Sequence, residues 1–348
     1  MSLGSLTYKP YSITSDEPFG TAHGQRSHTD IVLIKLQYDG FVGYGEASMP
    51  PYYEESQDDM LWFMGQINID KLLATHSIKQ AMDYIDGIAY GYTASKAAVD
   101  MALHDLRAKQ AGQSMSQFLN IQPSNAIYSS MTIGLSDINR MLQEVRAFCD
   151  YPILKVKLGK GLEDIKIMRA IREISTQRIW VDANQGWSTV EEAIKIGKEL
   201  EGLGVELIEQ PFKKGDLDKV SQLANHISIP IVADEDCQRL SDIHTLATAY
   251  DAINIKLMKC TGIHEAMAMI KKAREHNLKI MLGCMTESSI AVSAACHLAP
   301  SMDWIDLDGN LLINNDPAKG IVNHEGCLTI DPEALGHGAV LRLPDFFS

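Results

Sequence analysis

Five short apolar segments, each ending in charged residues, constrain the fold of this chain most strongly. They read ILKVKL, IWVDANQG, VELIEQP, PIVADED and AINIKLMK, and they lie between Ile153 and Lys259. Runs of this length that are rich in Val, Ile and Leu are typical of buried strands, and the segments between them have helical periodicity. Strands that alternate with helices in this way predict βαβ units and a parallel sheet.

The alternation extends to eight strands with seven helices between them. The strand candidates lie at residues 127–134, 153–158, 178–182, 205–209, 230–234, 252–256, 279–283 and 302–307, and the helices at 136–149, 163–175, 189–202, 217–226, 240–249, 264–276 and 286–298. Eight such units predict an α/β fold of the (β/α)8 type, a TIM barrel, over residues 123–319. The fold typically has about 250 residues, so the loops of this barrel should be short.

The residues before the barrel predict a smaller α+β domain. Strands are expected at residues 3–14 and 31–48, and the Asp39-Gly40 pair inside the second segment is a strong hairpin signal. A helical pattern follows, from about residue 58 to residue 119. We expect a capping domain over residues 1–122.

Two further segments complete the predicted domain organisation. Residues 17–30 are polar and contain glycine, which predicts a long loop, and loops of this length commonly act as lids or binding loops. Residues 320–348 contain one strand-like stretch and no further βα unit, so we expect this tail to return to the capping domain.

Composition and charge exclude several classes of partner. The net charge of −14 argues against nucleic acid and anionic membrane as partners. No apolar run is long enough to span a bilayer, and the first residues lack a signal-peptide core. The six cysteines are scattered without a CxxC pair, which favours reduced thiols over disulfides or zinc. We therefore expect a cytoplasmic protein, and a homo-oligomer.

Three carboxylates end successive strands of the predicted barrel. Asp182, Glu209 and Asp234 lie at the C-terminal ends of strands three, four and five, where barrels carry their active sites. Ligands that are all oxygen suit Mg²⁺ or a similar hard cation, not zinc. Alternatively, each acid caps a helix or pairs with a lysine, but this explains one acid more readily than three in register.

Lysines flank these acids on the neighbouring strands. Lys155 and Lys157 share one face of strand two, because side chains two apart on a strand point the same way. Strand six carries Lys256 and lies opposite strand two, so Lys157 and Lys256 would face each other across the cation. Two opposed bases and a cation indicate abstraction of a proton α to a carboxylate. Alternatively, lysines protect an edge strand, but ILKVKL lies in the middle of the barrel pattern.

These residues also carry a family resemblance. The segments Lys155-Val-Lys157, Asp182-Ala-Asn184-Gln-Gly, Glu209-Gln-Pro211, Ala233-Asp234-Glu235 and Asn254-Ile-Lys256-Leu-Met-Lys resemble the signature of the enolase superfamily, muconate-lactonising subgroup. The resemblance covers nearly the whole chain. It implies lysine bases and one Mg²⁺ per subunit on the three acids, with Mn²⁺ as an alternative. One departure is Lys259-Cys260-Thr261-Gly262, where relatives usually have two glycines, which concerns the local loop conformation only.

The last strand separates activities within the subgroup. Trp304-Ile-Asp306-Leu-Asp308-Gly309 is similar to the motif of dipeptide epimerases, in which the two acids bind the α-ammonium group of the substrate. The resemblance therefore implies an isomerase that epimerises the Cα of the C-terminal residue of a dipeptide by 1,1-proton transfer. Thr132 on strand one resembles a position that contacts the substrate. Alternatively, the two aspartates only begin a turn at Gly309.

The resemblance also indicates which substrates to expect. L-Ala-D/L-Glu epimerases, which act on cell-wall peptides, use an arginine in the loop that corresponds to residues 18–30. Gly24 falls at that position here, and Arg26 lies nearby and could replace it. We expect L-Ala-D/L-Glu as the favoured substrate, with hydrophobic or other dipeptides as the alternative. An o-succinylbenzoate synthase, a muconate cycloisomerase and an inactive binding module are further alternatives. Asp306 and Asp308 argue against the first two, and Lys157 and Lys256 argue against the last.

Overall fold

The computed structural model describes residues 4–21, 24–122, 126–343 and 345–348. These residues form an antiparallel sheet with helices, an eight-stranded parallel barrel and a C-terminal tail. Within these ranges no helix is long and apolar enough to cross a membrane. The expected cytoplasmic location and the homo-oligomer stay predictions.

The N-terminal part is a three-stranded antiparallel sheet covered by helices. Its strands are β1 (Ser5–Thr21), β2 (Gly24–Tyr38) and β3 (Phe41–Ser48), and its helices are α1 (Gln57–Gly65), α2 (Ile69–Leu73), α3 (Ile78–Asp86), α4 (Thr93–Gln110) and α5 (Met115–Phe118). Helix α4 is buried along most of its length and packs on β3. A Cβ at Gly45 would lie only 2.0 Å from the Ala98 carbonyl oxygen, so this contact requires glycine.

The predicted loop over residues 17–30 is wrong. Strand β1 extends to Thr21 and strand β2 begins at Gly24, so both continue into this segment as a two-stranded ribbon. Residues 22 and 23 of the predicted loop lie outside the described residues. The described pairs join Phe19 to Arg26, Gly20 to Gln25 and Thr21 to Gly24, and the register shifts between Thr14 and Phe19. A ribbon satisfies its backbone groups by cross-strand hydrogen bonds whatever the polarity of its side chains. A polar composition of this kind is therefore compatible with paired strands.

The ribbon is docked on the barrel by backbone hydrogen bonds. The Leu135 amide donates to the Gly20 carbonyl oxygen at 2.9 Å, and the Asn314 amide donates to the Thr14 carbonyl oxygen at 2.8 Å. The Asn315 side chain accepts from the Thr14 amide at 2.8 Å. These contacts place the ribbon over the C-terminal ends of the first and last barrel strands.

The next residues form β4 (Ile127–Tyr128) and the predicted barrel, which the structure confirms. Its strands are β5 (Met131–Ile133), β6 (Ile153–Lys157), β7 (Arg178–Asp182), β8 (Val205–Glu209), β9 (Ile231–Ala233), β10 (Ala252–Ile255), β11 (Lys279–Gly283) and β12 (Trp304–Asp306), hydrogen-bonded in chain order. The Ser130 amide donates to the Ile305 carbonyl oxygen at 3.0 Å and joins the two ends of the sheet. The predicted strand 127–134 is thus divided, because β4 pairs with the C-terminal tail.

Seven helices follow the first seven barrel strands and cover them from outside. They are α6 (Ile138–Ala147), α7 (Glu163–Ile174), α8 (Val190–Gly202), α9 (Leu217–Ala224), α10 (Ile243–Leu246), α11 (Ile263–Glu275) and α12 (Ser289–Cys296). Inside the barrel, an apolar floor fills the N-terminal ends of the strands and consists of Ile153, Trp180, Leu207, Val232, Ala252, Met281 and Trp304. This floor closes the barrel beneath the charged residues at the opposite end.

The tail forms β13 (Ala318–Lys319), β14 (Val322–His324), β15 (Cys327–Thr329) and β16 (Val340–Leu341). Strand β15 pairs with β4, and the Met115 amide of the capping domain donates to the Gly336 carbonyl oxygen at 2.7 Å. The tail therefore contacts both parts of the chain. The boundaries at residues 122 and 319 stay predictions.

Candidate active site

Three acids meet at the C-terminal rim of the barrel. Asp182 and Glu209 are the last residues of β7 and β8 and pair in register, and Asp234 directly follows β9. One carboxylate oxygen of each lies within 4.8 Å of the other two. All three side chains are buried, with at most 2% of any of them exposed. The structure thus brings the predicted ligands to one point.

The surroundings of these acids fit a hard cation. Burial and the nearby Asp182 carboxylate raise the pKa of Glu209 to about 7. Burial opposes the ionisation of Asp182, but Lys157 and Lys155 lower its pKa below the ordinary value. The Asn184 Oδ1 atom is buried and accepts no hydrogen bond from any described residue. A cation would relieve the repulsion between the acids and could use this amide oxygen, directly or through its water.

Four lysines surround the three acids and fall into two kinds. Lys157 Nζ lies 2.7 Å from Asp182 Oδ2, and Lys256 Nζ lies 2.7 Å from Asp234 Oδ2. Among the described residues, these are the only carboxylates within ion-pair distance of either lysine. Lys155 and Lys259 are instead almost completely buried and contact several oxygens each.

Lys155 joins the three acids to a fourth one. Its Nζ lies 2.5 Å from Glu209 Oε2, 2.6 Å from Asp306 Oδ2 and 3.4 Å from Asp182 Oδ2. Burial opposes its charge, but Asp306, Glu209 and Asp182 raise the pKa of Lys155 well above the ordinary value. Burial likewise opposes the charge of Lys256, whose pKa Asp234 nevertheless raises well above the ordinary value. In both cases the neighbouring acids favour the protonated lysine.

The two aspartates of the last strand lie beside β5. Asp306 Oδ1 accepts a hydrogen bond from the Ser130 hydroxyl at 2.7 Å, and Asp308 Oδ2 accepts one from the Thr132 amide at 2.7 Å. Both aspartates are buried, and burial together with the Asp306 charge raises the pKa of Asp308 to about 6. A cationic ligand group beside these two acids would favour the ionised form of Asp308.

The capping domain contributes Arg26 and a pair of tyrosines. Tyr52 and Tyr53 lie in a short turn of 3-10 helix, their ring centroids are 4.9 Å apart, and both influence the charge of Lys256. Burial lowers the pKa of Arg26, and the nearby Tyr52 opposes that change. Arg26 is half-buried and lines a pocket with Thr286 and Ile313. These neighbours indicate that its guanidinium lies on the barrel side of the ribbon.

A large cavity separates the capping domain from one side of the rim. Its volume is about 1200 Å³, and Tyr52, Tyr53, Glu235 and Lys259 lie in its wall. The cavity reaches Glu235, the residue next to Asp234. It is therefore large enough for a small molecule beside the acids.

Several polar residues of the site were not predicted from the sequence. Asn254 Nδ2 donates to Glu209 Oε1 at 2.6 Å, and Ser130 contacts Asp306. Asn254 lies two residues before Lys256, and Ser130 lies two residues before Thr132. Because side chains two apart on a strand share a face, both residues could have been predicted to face the site. Lys259 lies in a turn after β10, where no period applies.

The departure from the family motif changes little in this turn. Thr261 has a φ of 63° and Gly262 a φ of 112°, so the chain keeps the left-handed backbone that two glycines would favour. The Thr261 hydroxyl donates to Glu265 Oε2 at 3.1 Å. A Cβ at Gly262 would lie 2.4 Å from Asp100 of α4, so this glycine is required.

Family models cover the chain in two parts. The mandelate racemase / muconate lactonizing enzyme N-terminal domain matches residues 6–120, and the enolase C-terminal domain-like model matches residues 137–345. The chain belongs to this enolase family. The predicted superfamily and the predicted barrel with its capping domain are thereby confirmed.

Several relatives of this enolase-family chain are named as dipeptide epimerases. It is 37% identical to an L-Ala-D/L-Glu epimerase of Bacteroides thetaiotaomicron over 327 residues, which cover 94% of the chain and 85% of that relative. It is 35% identical to a hydrophobic dipeptide epimerase of Roseobacter litoralis, with 93% and 95% covered. The structure of a dipeptide epimerase from Cytophaga hutchinsonii with Mg and D-Ala-L-Val matches with a TM-score of 0.91 and 29% identity, covering 99% and 97%.

Two buried glutamates lie where the capping domain meets the barrel. Glu46 of β3 accepts a hydrogen bond from the Ser288 amide at 2.9 Å, and Glu287 accepts one from the Met285 amide at 2.8 Å. Burial raises the pKa of Glu46 to about 7. Burial and the nearby Glu46 raise the pKa of Glu287 to about 8, against an opposing effect of Lys256. Both groups are therefore more easily protonated in the folded protein than in the unfolded chain.

This arrangement predicts a pH-dependent stability. Between the unfolded pKa of 4.5 and the folded pKa of about 8, the folded protein keeps a proton on Glu287 that the unfolded chain releases, so stability falls as pH rises. The variant Glu287→Gln cannot ionise. Its free energy of unfolding relative to the parent should rise by at least about 1 kcal/mol between roughly pH 5.5 and pH 8. Denaturant unfolding at both pH values measures this, with the exposed Glu275→Gln as control. Equal pH slopes in parent and variant would contradict it.

Proposed function

We propose that this chain is a dipeptide epimerase, an isomerase that inverts the Cα of the C-terminal residue of a dipeptide. The observation that carries the proposal is the arrangement of two lysines on opposite barrel strands, β6 and β10, with three converging acids between them. The relatives named as epimerases support it.

Asp182, Glu209 and Asp234 would hold one Mg²⁺ per subunit, and Mn²⁺ is an alternative because it accepts the same oxygen ligands. The bound cation supplies positive charge to the substrate carboxylate and so favours loss of the α-proton. Asn254 keeps Glu209 in place by donating to its Oε1 atom. Lys155, held between Glu209 and Asp306, would add positive charge on the same side.

Lys157 and Lys256 would act on opposite faces of the Cα. In one direction Lys157 takes the proton on its Nζ and Lys256 delivers one to the other face; in the reverse direction the roles exchange. Lys157 and Lys256 are 9% and 7% exposed as residues, whereas Lys155 and Lys259 are 1% and 2% exposed. The two proposed bases are thus the lysines that reach the open part of the site.

Asp306 and Asp308 would bind the α-ammonium group of the dipeptide. They lie on β12 and just after it, and β12 lies opposite β8, which carries Glu209. A dipeptide would then have its ammonium group on one side of the rim and its carboxylate, at the cation, on the other. Thr132 orients Asp308 through its backbone amide. Substrates of cycloisomerases and of o-succinylbenzoate synthases lack this ammonium group, which leaves the two acids without a role in those reactions.

The proposed substrate is L-Ala-D/L-Glu, a component of cell-wall peptides, with Arg26 bound to the glutamate side chain. Arginine can bind a carboxylate with two parallel hydrogen bonds. An apolar side chain gains only about 0.8 kcal/mol per buried methylene. Arg26 is half-buried and lines a pocket with Thr286 and Ile313, and a guanidinium on this side of the ribbon supports the choice of glutamate.

Deuterium exchange tests the two bases. Lys157→Ala and Lys256→Ala should each lower net epimerisation by about 100-fold or more, because a positioned acid or base contributes that much. Each variant should still exchange the α-proton of one stereoisomer, and the two variants should retain different isomers. Mass spectrometry of a dipeptide in deuterated water with Mg²⁺ measures this, with the exposed Lys271→Ala as control. Equal loss for both isomers would reject the assignment, and full activity in excess chelator would reject the cation.

An N-acetylated dipeptide tests the ammonium site. Asp308→Asn should lower kcat/KM for free dipeptides more than roughly tenfold, since loss of one partner of a buried charge pair costs about 2–5 kcal/mol. The parent enzyme should turn over the N-acetylated dipeptide poorly, because it lacks the positive charge. Asp303→Asn, at the other end of the same strand, is the matched control. Equal kcat/KM for acetylated and free dipeptide would exclude the role of Asp306 and Asp308.

Side-chain preference tests Arg26. Arg26→Ala should raise KM for L-Ala-L-Glu at least about tenfold, the equivalent of about 1.4 kcal/mol, and leave KM for L-Ala-L-Leu nearly unchanged. Steady-state kinetics with both dipeptides measures the difference, with the exposed Arg169→Ala as control. An equal effect on both substrates, or a preference of the parent for L-Ala-L-Leu, would favour hydrophobic dipeptides instead.

A further inference from the structure

Lys259 is a buried lysine of the site for which the proposed reaction has no step. It lies in the turn after β10, three residues beyond Lys256, and only 2% of it is exposed. Its Nζ lies 2.5 Å from Asp234 Oδ1, 2.6 Å from the Asp234 carbonyl oxygen and 3.1 Å from the Asn254 carbonyl oxygen. A lysine ammonium has three donors, so all of them are engaged within the protein. Lys259 is therefore not available to a substrate.

Lys259 and Lys256 contact different oxygens of the Asp234 carboxylate. Lys259 takes Oδ1 at 2.5 Å, and Lys256 takes Oδ2 at 2.7 Å. A carboxylate that is held at one oxygen only can rotate toward that partner. Lys259 donates to the other carboxylate oxygen and to the carbonyl oxygen of the same residue. It therefore fixes the plane of the Asp234 carboxylate, which contacts Lys256 and would contact a cation.

The backbone around Lys259 is itself fixed from the capping domain. The left-handed residues Thr261 and Gly262 turn the chain directly after it. The next residues begin α11, whose amides at Ile263 and His264 donate to the Asp100 carboxylate of α4. The turn that carries Lys259 is thus held between its own strand and a buried side chain of the other domain.

A purely structural role does not explain a charge at this position. Burying an ammonium group costs several kcal/mol before its partners compensate, and an apolar side chain of similar length avoids this cost. The charge is placed on one ligand of the proposed cation site and on no other acid within ion-pair distance among the described residues. Its effect is therefore concentrated on Asp234 and, through Asp234, on Lys256.

We propose that Lys259 is a positioning residue that orients Asp234, and that it supports cation binding and the proton transfer on the Lys256 face more than the transfer on the Lys157 face. On the opposite face Lys259 makes no contact with the acid that pairs with the base. There Asp182 Oδ1 accepts from the Asn184 backbone N–H at 2.9 Å, and Asp182 Oδ2 accepts from Lys157 at 2.7 Å. The part that concerns the two faces rests on the proposed function. The part that concerns the cation needs only the proposed Mg²⁺ site on the three converging acids and no assignment of the bases.

The test replaces Lys259 by methionine, which keeps length and removes the charge. Calorimetric binding of Mg²⁺ alone to Lys259→Met should give a Kd raised at least about tenfold, in the range found when outer-shell partners of metal ligands are removed. At saturating Mg²⁺, the exchange of the isomer that Lys256 deprotonates should fall at least about tenfold more than that of the other isomer. An unchanged Kd, or equal losses for both isomers, would overturn the proposal.

Two further variants separate positioning from general damage. Lys96→Met removes another fully buried lysine, which pairs with Asp86 at 2.8 Å in the capping domain, and should change neither the Mg²⁺ Kd nor the isomer ratio. Lys259→Arg keeps the charge but cannot direct three donors to the same three oxygens. This variant replaces Lys259→Met in the test if Lys259→Met does not fold. It should also raise the Mg²⁺ Kd and should also lower exchange of the isomer that Lys256 deprotonates more than exchange of the other isomer. No change in Lys259→Arg would then overturn the proposal.

The result also remains distinct from a failure of the proposed function. If Lys157→Ala and Lys256→Ala lose exchange of both isomers equally, the two-base assignment fails. A raised Mg²⁺ Kd in Lys259→Met with an unaltered Kd in Lys96→Met would then still support the positioning of Asp234. An unaltered Kd in both would overturn it.

Discussion

Mutual repulsion of three buried carboxylates is the constraint on which the rest of this structure depends. Asp182, Glu209 and Asp234 each place an oxygen within 4.8 Å of the others, above an apolar floor that offers no solvation. Such a group is stable only when positive charge and donors compensate it. The surrounding lysines and the Asn254 amide supply this compensation, so the chemistry of the rim and the stability of the barrel rest on the same contacts.

The capping domain is part of this arrangement and not an appendage. Asp100 of α4 accepts from the first amides of α11 and so holds the turn that follows β10. Glu46 of β3 accepts from the Ser288 amide at the start of α12. Both acids lie at helix N-termini, where carboxylates satisfy free amides and meet the positive end of the helix dipole. The two parts of the chain are therefore joined by buried acidic side chains at the N-termini of two barrel helices.

Much of the fold and of the site was predictable because both follow strand periodicity. Asp182 and Glu209 end their strands, which places them at the rim of the barrel. Lys155 and Lys157 are two residues apart, which places their side chains on one face of the strand. The ribbon formed by β1 and β2 was missed because its pairing is a property of the backbone and leaves no apolar pattern. Lys259 was missed because turn geometry, with left-handed residues at Thr261 and Gly262, decides where its side chain points.

Lys155 bridges Glu209 of the proposed cation site and Asp306 of the proposed ammonium site, at 2.5 and 2.6 Å. One ammonium group thus serves two places that different ligands would occupy. A ligand that weakens the ion pair of Lys155 with one of these acids would strengthen its ion pair with the other. Thermodynamic linkage makes such an effect reciprocal, so that each ligand alters the affinity for its counterpart by the same factor. The two ends of the site are in this sense a single cooperative unit.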